Sequence, residues 1–398
     1  MALNIEDPEK YAAKNSFALF ALGFRPFFLL AAFSAPLLIL LWIMQLLGNV
    51  SISGYYTPTG WHAHEMLFGY TAAVIAGFLL TAAGNWTGIK MINGWRLILL
   101  TIVFLLGRFA PFATELPHWL IASVDIIFLP LVAFILAIPL VRMKQWSNFV
   151  FVPLLLIMAA ANLTVHLSAL HVIDLPLVTG NRAMIYLVIL LIVVMGGRVI
   201  PFFTERGVNG AVTKKWNVIE HLSAISVVLA GVADLFYANS PAVGFLAFFA
   251  AVINFIRLAG WYSNKIWSVP LVWILQTAYA WLIIGFVIKS LMLFNLTQTI
   301  FAYHAFTVGG IAMITLGMMA RVSIGHTGRE MVLNSWMVLA FIILNVATIV
   351  RVILPMFMHD YYLQLIQLAS GLWIVAFAIF AIVYTPMWIR PRVDGREG

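Results

Sequence analysis

The chain has 398 residues and no cysteine. That excludes disulfides, thiolate metal ligands, iron–sulfur clusters and cysteine nucleophiles, so any metal chemistry falls to His, Met, Asp or Glu. Charge is scarce too. Only 9% of residues are Asp, Glu, Lys or Arg, against about 25% in a soluble domain. The 22 basic and 14 acidic residues give a formal +8. This balance points neither to nucleic acid nor to an acidic substrate; its distribution along the chain reports topology instead. No phosphate-binding loop and no Ser/His/Asp triad can be assembled, because the Gly196-Gly197 and Gly309-Gly310 pairs read as helix-packing positions. The first residues, "MALNIEDPEKYAAK", are polar and lack a signal-peptide pattern.

Apolar length is what the chain has in abundance. It is 64% hydrophobic, with runs of about 20 residues, each enough to cross a bilayer. These predict an all-α polytopic membrane protein, one membrane domain over residues 1–398. Twelve spans are expected, near 24–47, 62–84, 95–113, 119–141, 148–170, 183–204, 217–237, 241–263, 269–293, 300–323, 332–354 and 363–387. Lys10, Lys14 and Arg25, the loops after the second, fourth, sixth, eighth and tenth spans, and the C-terminal Arg390, Arg392 and Arg396 carry the basic residues, while the opposite loops hold only Arg182. Basic residues favour the cytoplasmic side, so both termini are expected inside.

A shift of 240 residues lays His64 on His304, Gly69 on Gly309, Gly77 on Gly317 and Thr87-Gly88 on Thr327-Gly328, with Trp95 and Trp336 following. A weaker third copy runs through "GRVIPFFTERG" to Trp216. Spans 2, 6 and 10 would then correspond, and the chain would hold three pseudo-repeats of four helices, about 20–142, 143–264 and 265–390.

Two stretches, "WHAHEMLFGY" from Trp61 and "YHAFTVGG" from Tyr303, open apolar segments with histidine at the end assigned to the outside. Polar side chains inside a membrane need a partner or a function. Neutral imidazole is the commonest metal ligand, and a heme takes axial ligands from both faces of its plane. His64 and His304, at matching depth, suit that geometry. Because i and i+2 leave different faces of a helix, His62 is expected to point away from that metal and could join His166 or His171 in a copper site. Glu65 is either an outer partner of a ligand, a proton carrier or a cap on the first turn. Arg108 and Arg351 break the charge rule at the outer end, so each needs a partner: heme propionates, or Asp125 for Arg108. At the inner end "RVSIGHTGR" joins Arg321, His326 and two glycines; the arginines could fix the membrane boundary, and His326 with His221 could form a separate inner site.

The blocks "LGFRPFFLLAA", "WHAHEMLFGYTAAVIAGFLLTAAGNWTG" and "HAFTVGGIAMITLGMMARVSIGHTGR" resemble the NnrS family over nearly the whole chain. The resemblance implies a bacterial inner-membrane protein carrying heme, of the b type, and copper, linked to nitric oxide and nitrosative stress. The family's histidines fall on His62, His64, His304 and His326 by motif position. A more distant likeness joins the catalytic subunit of heme–copper oxidases and nitric oxide reductases, also twelve spans in three four-helix units. Those enzymes place a His-His pair on span 7 and a His on span 6. Here span 7 offers only His221 and span 6 none, so the usual binuclear centre is not expected.

The expected function is therefore a heme-binding, and by the resemblance copper-binding, inner-membrane protein of nitric oxide metabolism. Its partners would be the lipid bilayer, nitric oxide or another small diatomic ligand, and an electron donor the sequence does not identify. The competing classes are a transporter and a sensor or carrier of heme or copper without redox catalysis. If His64 and His304 share an iron, replacing either by Ala abolishes the Soret band of the purified protein while expression persists; absorbance retained in both variants refutes the pairing.

Overall fold

A computed structural model describes residues 17–52, 54–113, 115–238 and 240–396. Lys10 and Lys14, used above to orient the chain, lie outside them. The described residues contain no strand and twelve helices long and apolar enough to cross a membrane. They are α1 (Phe24–Leu46), α2 (Pro58–Thr87), α3 (Trp95–Phe112), α4 (His118–Arg142), α5 (Trp146–Ala169), α6 (Val178–Gly207), α7 (Asn217–Phe236), α8 (Pro241–Trp261), α9 (Pro270–Phe294), α10 (Thr299–His326), α11 (Ser335–Met356) and α12 (His359–Ile389). Helices dominate because a bilayer cannot satisfy backbone N–H and C=O groups, which must bond within the segment.

Burial separates an interior from a lipid-facing rim. In their most apolar stretches 83% of α2, 78% of α9, 72% of α10 and 67% of α6 is buried, against 33% of α1 and 39% of α12. Moreover α2, α6 and α10 each pack against the other two. At mid-depth the Tyr70 hydroxyl and Thr315 Oγ1, 2.7 Å apart, tie α2 to α10.

The 240-residue offset has a geometric counterpart. A π-helical turn begins one residue after His64 (Glu65–Thr71) and one after His304 (Ala305–Ala312). The hydroxyl of Thr87 donates to Ala83 O at 2.6 Å, and that of Thr327 to Ser323 O at 2.6 Å. Gly88 and Gly328 then follow in the left-handed region, at φ 67° and 74°, where a side chain would be strained. α6 departs from this scheme: it continues from Val178 to Gly207 without a π turn. Trp95, Trp216 and Trp336 stand at the beginnings of α3, α7 and α11.

The end opposite His64 is held by arginines. Arg25, fully buried, donates from Nη1 to Met387 O, Trp388 O and Arg390 O at 3.2, 2.9 and 2.7 Å. Met387 and Trp388 lie in the last turn of α12, whose carbonyls have no partner inside their own helix, and Arg390 is its cap; a cation there also meets the negative end of the helix dipole. Arg25 thus joins α1 to α12. The C-terminal segment docks beside it: Arg392 Nη1 donates to His326 O at 3.0 Å and Val393 N to Thr327 O at 3.1 Å. The Arg392 guanidinium, bonded to Asp394, holds that carboxyl down at about 2, so this exposed pair stays ionised at neutral pH. Arg25→Ala, which strips charged donors from three carbonyls, is expected to lower the melting temperature of the detergent-solubilised protein; each such bond is worth about 1.5–3 kcal/mol. A melting curve equal to that of the unmodified protein would show that the cap is dispensable.

Candidate metal centre

At the other end of the bundle α2, α3, α4 and α5 bring six polar side chains into contact. Thr57 caps α2 by accepting from Gly60 N, and Pro58 pre-sets the first turn. Trp61, His64 and Glu65 then turn inward, His64 with no exposed surface. The π turn that follows changes the helical register just after His64. Glu65 Oε1 accepts from Arg108 Nη1 of α3 at 2.8 Å, and the other guanidinium nitrogen, Nη2, pairs with Asp125 Oδ1 of α4. Arg108 therefore bridges two buried carboxylates. Two glycines make room: a Cβ at Gly69 would stand 3.3 Å from Arg108 Nη1, and one at Gly107 only 2.7 Å from Asp125 Oδ1. The sequence offered Asp125 and heme propionates as alternative partners for Arg108; here Asp125 and Glu65 both take it.

Asp125 Oδ2 is the hub on the far side. It lies 2.9 Å from His166 Nε2, 3.2 Å from His64 Nε2 and 2.8 Å from Asn162 Nδ2. Asn162 and His166 come from one face of α5, a turn apart. Because the Asn162 amide donates to Asp125, its Oδ1 must face His64, 3.0 Å from Nε2. His64 Nδ1 meets Glu65 Oε1 at 3.1 Å. Both nitrogens of His64 thus look at oxygen acceptors. Tyr56 Oη is 3.3 Å from Nε2, at the limit of a hydrogen bond. A neutral imidazole has one N–H, so with Nδ1–H given to Glu65 the Nε2 lone pair faces Asn162 and Asp125 oxygens with only the distant Tyr56 hydroxyl to donate to it, and a proton or a metal ion at this nitrogen would relieve that. Formal charge makes the same demand, since Glu65 and Asp125 outnumber Arg108. His64, Asp125 and His166 each offer a ligand atom, all within 4.8 Å of one another and all on buried residues. This is a two-imidazole, one-carboxylate set of the kind first-row transition metals take.

Two tyrosines close the site. Tyr55 Oη is 2.8 Å from His166 Nδ1, and the Tyr56 ring stacks on His64 with centroids 4.8 Å apart. Burial pushes both phenols above their ordinary value, with the Glu65 carboxylate adding to the effect at Tyr56. Both remain protonated at neutral pH. With the hydrogen of His166 on Nδ1 the Tyr55 oxygen can accept it, which leaves the Nε2 lone pair facing Asp125 and a metal, an orienting contact of the type that fixes a metal-binding imidazole.

His304 has other company. Its Nδ1–H donates to Ile300 O at 2.8 Å, and its Nε2 accepts from Arg351 Nη2 at 3.0 Å. His62 stacks on Trp42 of α1, centroids 4.6 Å apart, and the charge of Arg351 acts on both His62 and His304. The histidines are therefore grouped differently from the sequence expectation: His64 stands with His166, and His62 on the side of His304. His171 lies exposed beyond α5. His326 contacts Asn85 at 3.4 Å and the Phe24 ring, Arg321 lies 3.6 Å over the Phe203 ring, and exposed His221 donates to Asn217 O at 2.7 Å. The sequence reading missed Asn162, Tyr55 and Tyr56. The i, i+4 spacing of Asn162 and His166 was the available signal; nothing local marked the tyrosines.

The groups implied by the resemblance can be tested on these contacts. A metal ion of copper's chemistry fits His64, Asp125 and His166, where an oxygen-lined nitrogen and an excess negative charge both call for a cation. For a heme shared by His64 and His304 the arrangement offers no such support, because the two rings belong to separate clusters, His64 with Asp125 and His166, His304 with Arg351.

Fold and site together define a polytopic helical membrane protein with a buried histidine–carboxylate centre near one membrane face. The chain matches the family described as NnrS protein over residues 18–392. It belongs to the NnrS family. A comparison with curated proteins found no match. Family membership is consistent with a membrane protein related to nitric oxide.

Removing Arg108 would leave Glu65 and Asp125 buried and uncompensated. Arg108→Ala is expected to destabilise the protein by about 3–5 kcal/mol, and adding Asp125→Asn to recover part of that loss. Thermal unfolding of the two variants measures it; equal melting temperatures for the wild type and Arg108→Ala would dismiss the network as a structural support.

Proposed function

We propose that the protein is a copper-binding protein of the bacterial cytoplasmic membrane that handles nitric oxide. His64, His166 and Asp125 would hold the metal at the end of the bundle that the basic-residue bias assigns to the outside. The observation that carries this reading is the set of three donors from three helices, buried and mutually within 4.8 Å. Copper bound there would supply a one-electron centre with affinity for a small diatomic molecule.

The surrounding residues have defined tasks in this reading. Arg108 offsets one of the two carboxylate charges and leaves the other for the metal. Asn162 and Tyr55 orient the ligands. Tyr56 shields the face of His64 and keeps a phenol proton beside Nε2, 3.3 Å away. Glu65, bonded to His64 Nδ1 and Arg108, can hold a proton arriving from the imidazole. Nitric oxide as the ligand rests on family membership, and the redox role on the choice of metal.

Purified full-length protein should contain about one copper per chain by elemental analysis, with nitrogen hyperfine structure in its Cu(II) resonance spectrum. His64→Ala, His166→Ala and Asp125→Ala should each lose the metal, whereas His304→Ala should keep it. A colourless, metal-free preparation that moves solute in liposomes would replace this reading by the transporter class. Metal retained in all three site variants would locate it elsewhere.

A further inference from the structure

Arg351, half-buried, is a cation that the metal centre does not use. It sits in a π-helical turn of α11, Ile349–Ile353, packed against the first turns of α10. One edge of its guanidinium is committed, with Nη2 donating to His304 Nε2 at 3.0 Å. That bond makes His304 neutral at Nε2, and Nδ1–H is spent on Ile300 O. So the histidine brings no charge to the guanidinium. Tyr362 adds a hydroxyl hydrogen bond and a cation–π contact, its ring centroid 5.9 Å from the Arg351 Cζ, but no formal charge. Among the described residues no carboxylate lies within ion-pairing distance of Arg351; the buried acids at this end, Glu65, Asp125 and Asp234, serve Arg108 and Lys289.

Two nitrogens in this cluster are buried without a partner, Nη1 of Arg351 and Nδ1 of His62. His62 is held in place by its stack on Trp42 and lies within the electrostatic reach of Arg351. A buried guanidinium without a counter-charge is costly, and a buried donor without an acceptor adds to the cost. His62, His304 and Arg351 are each only half-buried, so the cluster is not sealed inside the bundle. An anion would settle both debts. The fork of a guanidinium matches a planar group with two oxygens in one plane, and a compact spherical ion less well.

We propose that Arg351, His62 and His304 form a binding site for a planar oxyanion group, a carboxylate, nitrite or nitrate. Arg351 provides the charge and the Nη1 donor, His62 a second donor from Nδ1, and His304 holds the guanidinium in position through Nε2. The site is independent of the copper reading, since it shares no ligand with His64, Asp125 or His166. The group can come from solution as a free ion, or be carried by a lipid or a prosthetic group retained in the membrane.

The test uses the full-length protein in a neutral detergent. Its melting temperature and the heat of titration are followed with sodium formate, nitrite and nitrate at constant ionic strength, with chloride as reference. In the wild type the planar anions raise the melting temperature above the chloride value and bind saturably. Arg351→Ala weakens that binding by about tenfold or more, as expected on losing a charged hydrogen bond. Arg351→Lys retains charge without the fork and falls between. If Arg351→Ala fails to fold, His62→Ala carries the test, with several-fold weaker binding. A wild type that ignores free anions but releases a stoichiometric carboxylate-bearing lipid or pigment on denaturation, absent from Arg351→Ala, supports the site with a tethered occupant. No anion response and no released carboxylate, or identical responses in wild type and Arg351→Ala, overturns it. Copper content measured on the same samples separates this outcome from the fate of the metal centre.

Discussion

The bidentate grip of Arg108 on Glu65 and Asp125 is the constraint on which the histidine end of the bundle depends. In a membrane interior an ionised carboxylate is tolerated only when paired and hydrogen-bonded. One guanidinium reaches two carboxylates because it is a planar fork with donors on both edges, and because Gly69 and Gly107 leave space where a Cβ would intrude. With Arg108 set, Asp125 turns its second oxygen to His64, His166 and Asn162. Helices α2, α3, α4 and α5 are thus fastened by a single polar network whose charge is one cation short.

The same end of the molecule holds other buried charges, and each has a different balance. Asp234 of α7 takes Lys289 of α9 on one oxygen and the hydroxyls of Tyr186 and Tyr303 on the other. In that cluster the carboxylate is met inside the protein, with Arg182 beside it over the Tyr303 ring, and it reads as a support between α6, α7, α9 and α10. Toward the opposite end Arg257 pairs with Glu220 and reaches Val193 O and the Tyr279 hydroxyl, again with its charge met inside the protein. Against these two, the centre around Asp125 has an excess of negative charge and the cluster around Arg351 an excess of positive charge. Among the described residues these two clusters leave a charge for something outside the chain to meet.

Much of the architecture was legible in the sequence. Apolar runs placed twelve spans within a few residues of their positions, since hydrophobic length is a local property that a bilayer imposes directly. The pairing of His64 with His304 along the chain was also visible, and the π turns after both, the two hydroxyl back-bonds and the left-handed glycines repeat that offset in space. Positions matched by that offset, however, need not face a common point. His64 and His304 each turn to neighbours within their own part of the bundle, and their similarity in sequence carried no information about the rotation of either helix. Asp125 was readable as a partner of Arg108 but not as the hub between two imidazoles.

The sequence by itself determined the helical class, the number of spans, the family and the depth at which the ionisable residues lie, because each follows from composition and short-range spacing. Only the tertiary structure decided which of those residues meet. A histidine's partner is set by helix rotation and crossing, and by the need of each buried polar atom for an acceptor or donor among side chains distant in the chain. His166 joined His64 through Asp125, and Arg351 was left beside His304 without a carboxylate, for that reason.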